Sequence, residues 1–230
     1  MGDRQRPRQS LIVRHTKTLY LYLAKKIDLL GDVHANLPAL DAVLADAKMR
    51  GVDQIWNIGD FVGYGAYPDE VVKRLRNEGA ISIVGNYDLK VLKFPKKNKK
   101  WRSTKLHHKW LAFNWAYESL SKKSRKYLRF LSAEMRMTVK GKRVLLTHGC
   151  PGPRQKGIGS KEPEESLVRL GQEAEADLIV CGHQDRPPDE AAFDEIREMP
   201  RNISVDVQSA GRRQRIPTGF EQAVPGIMIM

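Results

Sequence analysis

From residue 26 onward, short apolar runs alternate with amphipathic stretches, the pattern of an α/β arrangement. "KIDLLGD" at 26–32 reads as a strand. A helix follows, with Asn36 as its cap, Pro38 in its first turn, Leu37, Leu40, Leu44 and Ala47 along one face, and Gly51 as its stop. "DQIWNIGD" at 53–60 is a second strand, and the next helix opens near Pro68, buries Val71, Val72 and Leu75, and ends at Gly79. "ISIVGN" at 81–86 is a third strand.

Leu106, Trp110, Phe113, Tyr117 and Leu120 then recur at intervals of three and four, which predicts a helix. A shorter helix starts after Ser121 and buries Tyr127, Leu128 and Leu131. "MRMTVKGKRVLLTHG" at 135–149 predicts a β-hairpin turning at Lys140 and Gly141, and a helix opening near Pro163 leads into the strand "DLIVCGH" at 177–183. A chain of 230 residues with this pattern is expected to form one domain over 25–230, carrying a basic helical insert at about 90–131.

Composition adds three constraints. Hydrophobic residues make up 41% of the chain and aromatics 7%, a globular balance, and no apolar run approaches the roughly 20 residues that span a bilayer. Residues 1–24 carry Arg4, Arg6, Arg8 and Arg14, and their best apolar stretch, "LYLYLA", is shorter than a signal-peptide core, so a disordered basic extension is expected. Two cysteines, Cys150 and Cys181, make no disulfide framework and suit a reducing cytoplasm as buried structural thiols. The net charge of +13 is local: residues 89–130 hold 14 Lys and Arg against the single acid Glu118, while the rest of the chain balances.

Five of the apolar runs finish in polar clusters: Asp32 and His34 in "GDVHAN", Asp60 in "GD", Asn86 and Asp88 in "GNYD", His148 in "THG", and His183 and Asp185 in "GHQD". Ligands of α/β sheets bind outside the carboxyl ends of the strands, so these tips could face one spot. Carboxylates, imidazoles and an amide oxygen are donors suited to manganese, iron or zinc rather than to calcium alone. Taken singly, each dipeptide is more often a turn than a ligand. Their order, each after a strand, predicts a metal site.

As an ordered set these motifs resemble the calcineurin-like metallophosphoesterases, whose signature runs D-x-H, GD, GN-[HCY]-[DE], GH or HG, and G-H-x-H. The resemblance covers about residues 26–188 and lies closest to the small prokaryotic phosphodiesterase-like branch. It implies a four-layer α/β/β/α sandwich of two mixed β-sheets flanked by helices. It also implies two divalent metal ions, manganese first and iron, zinc or nickel as alternatives. Asp32 and His34 would bind one ion, Asn86, His148 and His183 the other, and Asp60 both, with a metal-bridging hydroxide as nucleophile. The candidate catalytic residues are Asp60, Asn86, Tyr87 and Asp88.

The chain departs from the family pattern at named positions. Tyr87 stands where many relatives carry a histidine that protonates the leaving group, and a phenol, with a reference pKa near 10, is the poorer acid at neutral pH. Good leaving groups would then suit it. Asp185 replaces the second histidine of the last motif and is kept as a ligand of the first metal. "VQSAGRR" at 207–213 only partly matches the family's closing loop, so residues 189–230 are expected to be atypical.

The loop after Asp60 reads "FVGYG" and lacks the Asp-Arg-Gly of phosphoprotein phosphatases, which argues against a phosphoprotein substrate. The expected activity is hydrolysis of phosphodiesters or small nucleotide-like phosphoesters. The alternative is a nucleic-acid-binding protein or nuclease on a degraded scaffold of the same kind. The basic segment could gather polyanions with Trp101 and Trp115 nearby, or Lys96 to Lys100 could merely solvate a loop while Trp110 joins the core. The second reading is slightly favoured. Trp115 falls about 180° from the core stripe, on the outward side of its helix.

Overall fold

The computed structural model describes residues 26–152, 157–158 and 162–183 together with three later strands, 204–209, 212–216 and 226–229, as backbone. The expected basic extension at 1–24 and Asp185 lie outside the described residues.

Strands β1 (Lys26–Leu30), β2 (Gln54–Asn57) and β3 (Ile81–Ser82) pair in parallel, and β7 (Ser204–Ser209) joins the other side of β1, with β8 (Arg212–Ile216) antiparallel at the edge. The sheet order is β3-β2-β1-β7-β8. A second sheet runs β4-β5-β6-β9, built from the hairpin β4 (Glu134–Val139) and β5 (Lys142–Thr147), then β6 (Leu178–Cys181) and β9 (Gly226–Ile229). Its β5-β6 and β6-β9 pairs are parallel. Both sheets are therefore mixed, and the carboxyl-terminal part of the chain supplies strands to each.

Alternation of side chains along each strand sorts the core into layers. Ile27, Leu29, Trp56, Ile58 and Ile83 from the first sheet meet Val139, Val144, Leu146 and Val180 from the second, so one core lies between the sheets. Their neighbours face outward. Leu30 packs beneath helices α1 (Leu37–Met49), α2 (Pro68–Asn77), α3 (Asn86–Thr104), α4 (His107–Ser119) and α5 (Lys122–Phe130), while Leu145 and Ile179 pack near Leu170 on α6 (Glu164–Glu173). This is the sandwich of two sheets flanked by helices. No helix among the described residues is long and apolar enough to cross a membrane.

Local chemistry accounts for the element ends. Asn36 accepts the Ala39 N–H at 3.2 Å and caps α1. Lys140 and Gly141, at φ 48° and 78°, make the two-residue hairpin turn whose backbone twist matches its strands.

The basic segment differs from the expectation at two points, one being Leu106, which precedes α4 and is exposed. Residues 96–100 are not a loop but part of the 19-residue helix α3, which runs through Pro95. Val91 and Phe94 anchor it in the core, with Trp101 and Trp110 packed alongside. Pro95 and the lysine run conceal this apolar stripe in the sequence. Many of the cations lie over aromatic rings: Arg102 over Trp110 at 5.6 Å, Lys105 over Trp101 at 5.0 Å, and Arg125 over Tyr117 at 4.7 Å. Asp69, at the start of α2, accepts the Ser121 N–H at 2.9 Å and so ties the α4-α5 junction to the domain.

Candidate metal centre

The loops after β1 and β2 are laced together by backbone hydrogen bonds. Asp32 N–H reaches Gly59 O at 3.2 Å, His34 N–H reaches Asp60 O at 2.9 Å, and Ala35 N–H reaches Phe61 O at 2.7 Å. Across the second sheet, Gly182 N–H donates to His148 O at 3.0 Å. Asp32, His34, Asp60 and His183 all sit in the left-handed region, at φ 50°, 46°, 52° and 71°. Side-chain-bearing residues seldom adopt that conformation, and such strain gathers at functional sites.

The strained turns bring together two donor sets. Asp32, His34 and Asp60 form one, Asp60, His148 and His183 the other, and within each set the donor atoms lie within 4.8 Å of one another. Asp60 belongs to both. One of its oxygens, Oδ2, lies 3.4 Å from His148 Nε2 and 3.9 Å from His34 Nε2. The other, Oδ1, accepts the Tyr87 N–H at 2.7 Å. Separations of this size arise when atoms share a cation through bonds of about 2.1 Å.

Both imidazoles are oriented in the same way. His148 Nδ1 donates to Ile58 O at 2.9 Å, and His34 Nδ1 to Val62 O at 3.3 Å. A carbonyl partner at Nδ1 places the proton there and leaves the Nε2 lone pair for a metal. The donor chemistry and the orientation of the rings thus fit divalent metal ions.

Other residues singled out in the sequence take distinct places. Asn86 begins α3 and holds its amide nitrogen 3.0 Å from His183 Nδ1, while Lys90 Nζ donates to its Oδ1 at 3.3 Å. Those contacts with the His183 ring place Asn86 beside the second set. The Tyr87 ring lies 5.0 Å from that of His34, and its hydroxyl is hydrogen-bonded to the Tyr64 hydroxyl. Asp88 turns away from the donor sets: its oxygens accept the Gly85 N–H at 2.9 Å and the Val62 N–H at 3.1 Å.

Tyr64 and Lys90 were not singled out in the sequence. Lys90 follows Asn86 by four residues, a spacing that places it beside Asn86 once α3 is known to start there. Tyr64 lies in an aperiodic loop, which carries no comparable signal.

Burial sets the electrostatics. Burial pushes the Asp32 carboxyl above its usual range, and the Asp60 charge adds to that. Burial would raise Asp60 too, but the hydrogen bond and charge of His148 bring it below the usual range. His148 answers in kind: desolvation opposes its charged form, yet Asp60 and Asp32 raise it to about 9. Complete burial and the Asp60 charge push Asp88 up to about 7, against the two N–H bonds that favour its anion. Without metal the centre therefore holds a proton on His148. Burial first, then Cys150, pushes the Cys181 thiol up to about 12, which makes it inert as a nucleophile at neutral pH.

A family model for the calcineurin-like phosphoesterase superfamily domain matches residues 26–199. The chain belongs to that superfamily. As a calcineurin-like phosphoesterase it is 36% identical over 173 residues to an uncharacterized protein of Methanocaldococcus jannaschii, covering 70% of this chain and 63% of that protein. It is also similar to the crystal structure of a metallophosphoesterase from Sphaerobacter thermophilus, at 31% identity and a TM-score of 0.52, covering 69% of this chain and 59% of the other. The chain thus spans less than two thirds of the length of either relative. A hypothetical protein from Pyrococcus horikoshii, at 19% identity and a TM-score of 0.63 over 84% of this chain and 88% of its own, shares the fold.

Proposed function

We propose that the chain is a metal-dependent hydrolase of phosphodiesters or small nucleotide-like phosphoesters. The observation that carries this reading is Asp60, whose Oδ2 faces a histidine of each donor set. Asp32 and His34 would hold one divalent ion, manganese by preference, and His148, His183 and Asn86 the other. Two such ions, when bound, acidify water and draw charge from the phosphoryl oxygens. No serine or cysteine nucleophile is required.

The chain's own groups do the positioning. Asp60 sets the spacing of the two sets, and the Ile58 and Val62 carbonyls hold the His148 and His34 rings in the ligating tautomer. Tyr87, whose ring lies beside His34 and whose hydroxyl is hydrogen-bonded to that of Tyr64, would give a proton to the departing oxygen. A phenol gives up that proton less readily than an imidazolium, so the reading favours good leaving groups. Asp88 is a positioning residue, which ties Gly85 at the mouth of α3 to Val62 in the loop after β2. Asp185 stays a proposed ligand of the first ion.

Purified protein supplied with Mn²⁺ should hydrolyse bis(4-nitrophenyl) phosphate faster than 4-nitrophenyl phosphate, and Asp60→Asn should abolish turnover. Absence of turnover with Mn²⁺, Fe²⁺, Zn²⁺ and Ni²⁺ alike would overturn the proposal. A second reading rests on Lys96, Lys97, Lys99 and Lys100, which are exposed on one helix and suit a nucleic-acid backbone. Salt-sensitive binding of DNA or RNA without hydrolysis of any ester would favour it.

A further inference from the structure

Beside the metal centre lies an aromatic rim whose exposed ring faces the hydrolytic chemistry does not require. Tyr64 leaves the loop after Asp60 with its ring 5.0 Å from His34 and 5.0 Å from Tyr87, yet it is 48% exposed. Trp115 is 53% exposed on α4, and its indole N–H donates to the carbonyl of Ala66 at 3.3 Å. That bond fixes the indole against the loop that carries Tyr64, two residues away. Lys90 Nζ lies 4.3 Å from the centre of the Tyr87 ring and 3.3 Å from Asn86 Oδ1, which puts a cation between the rim and the second donor set.

The phenol pair adjoins the first donor set at His34, and Lys90 adjoins the second at Asn86. Two half-exposed rings, one held by a hydrogen bond, offer faces on which a planar ligand can stack. We infer that Tyr64 and Trp115 form a stacking subsite for the base of a nucleoside phosphate, with Lys90 facing its phosphate. Aromatic faces accept any base, whereas an ammonium group beside them selects an anionic neighbour. This inference rests on the hydrolase reading for the position of the phosphate, and it narrows the substrate class from phosphoesters at large to nucleotide esters.

The test separates the two claims. Calorimetric titration of the full chain with Mn²⁺ present compares AMP with ribose 5-phosphate, which differ only in the base. AMP is expected to bind about tenfold tighter. Trp115→Ala should remove most of that difference while leaving ribose 5-phosphate binding unchanged, Tyr64→Leu should narrow the ratio of the two affinities, and Trp115→Phe and Tyr64→Phe, which keep a ring face, should preserve that ratio. Circular dichroism and melting of each variant identify any that fails to fold, and the ring-preserving variants then decide the matter. Equal binding of the two ligands by the unaltered chain, or a preference for AMP that survives both Trp115→Ala and Tyr64→Leu, would overturn the inference.

Hydrolysis gives the second arm. The 4-nitrophenyl ester of thymidine 5′-phosphate should show a KM about tenfold below that of methyl 4-nitrophenyl phosphate, and Trp115→Ala should raise the first alone. Turnover of both esters with equal KM leaves the hydrolase standing and removes the stacking subsite. Base-dependent AMP binding without turnover of either ester supports the subsite and removes the hydrolase.

Discussion

The carboxylate of Asp60 packs directly over the Cα of Gly85, so closely that a Cβ there would run into both the carboxylate and the Asp60 backbone nitrogen. The contact lets Asp60 take the Tyr87 N–H on one oxygen and leave the other facing the two histidines. Gly59 completes the fit, since at φ 103° its own Cβ would meet Gly85 N at 2.5 Å. Gly85→Ala should therefore displace the shared ligand. Overpacking of this kind costs about 1 to 3 kcal/mol. Metal analysis of the folded variant should show loss of bound ions, and full retention would remove Gly85 from the design of the centre.

Asp60→Asn tests the sharing itself. If one carboxylate serves both ions, the substitution should weaken both at once, by more than about a hundredfold in affinity, because losing even an outer partner of a ligand costs about 10- to 100-fold. His34→Ala, by contrast, should weaken one ion more than the other. Titration of the metal-free protein with Mn²⁺ gives both affinities; an Asp60→Asn protein that still binds one ion at full strength would show that the carboxylate is not shared.

Asp88→Asn should lower stability more than it changes the chemistry. Asn offers one acceptor where the Gly85 and Val62 amides need two, and its NH₂ group would face a buried N–H. An unsatisfied buried donor costs about 1 to 3 kcal/mol, and each kcal/mol lowers Tm by roughly 2 to 4 °C in a chain of this size. A melting curve unchanged by the substitution would contradict this role.

Above the ordinary aspartate range, where the depressed carboxyls Asp60, Asp69 and Asp177 are already ionised, the metal-free protein should lose stability as the pH rises. His148 is raised in the folded state to about 9, so its contribution is fully present below the ordinary histidine value and is lost as the pH passes through about 9. Asp88, raised to about 7, acts in the same direction: its contribution is present below the ordinary aspartate value and is lost through about 7. Metal must also displace the His148 proton, so Mn²⁺ affinity should climb about tenfold per pH unit per proton released. Urea midpoints and calorimetry in buffers of different ionisation heat measure the two trends. A urea midpoint that increases with pH between about 7 and about 9 in the metal-free protein would refute the assignment.

The strand ends were legible because their signals are local. An apolar run that stops at Gly-Asp or Gly-Asn marks both the end of a strand and the place where a polar side chain can reach a ligand, and this located Asp32, His34, Asp60, Asn86, His148 and His183 before any coordinates. The α3 helix was less legible. Its apolar positions Val91 and Phe94 flank a proline and a lysine run, and only packing against Trp101, Trp110 and Phe113 shows which face is buried. Asp88 illustrates a different loss: sequence order places it among the candidate ligands, but its direction depends on two amides, one of them 26 residues away.

Residue types and their order along the chain were enough to determine the α/β class, the strand tips and the donor chemistry, because periodicity and turn preference act over a few neighbours. Tertiary structure alone decided that one oxygen of Asp60 would face both His34 and His148, that Tyr64 and Lys90 would stand beside the same centre, and that Trp115 would bond to the loop that carries Tyr64. Those relationships join loops from two sheets and the helical insert through strained backbone, and no local pattern encodes the direction in which such a residue points.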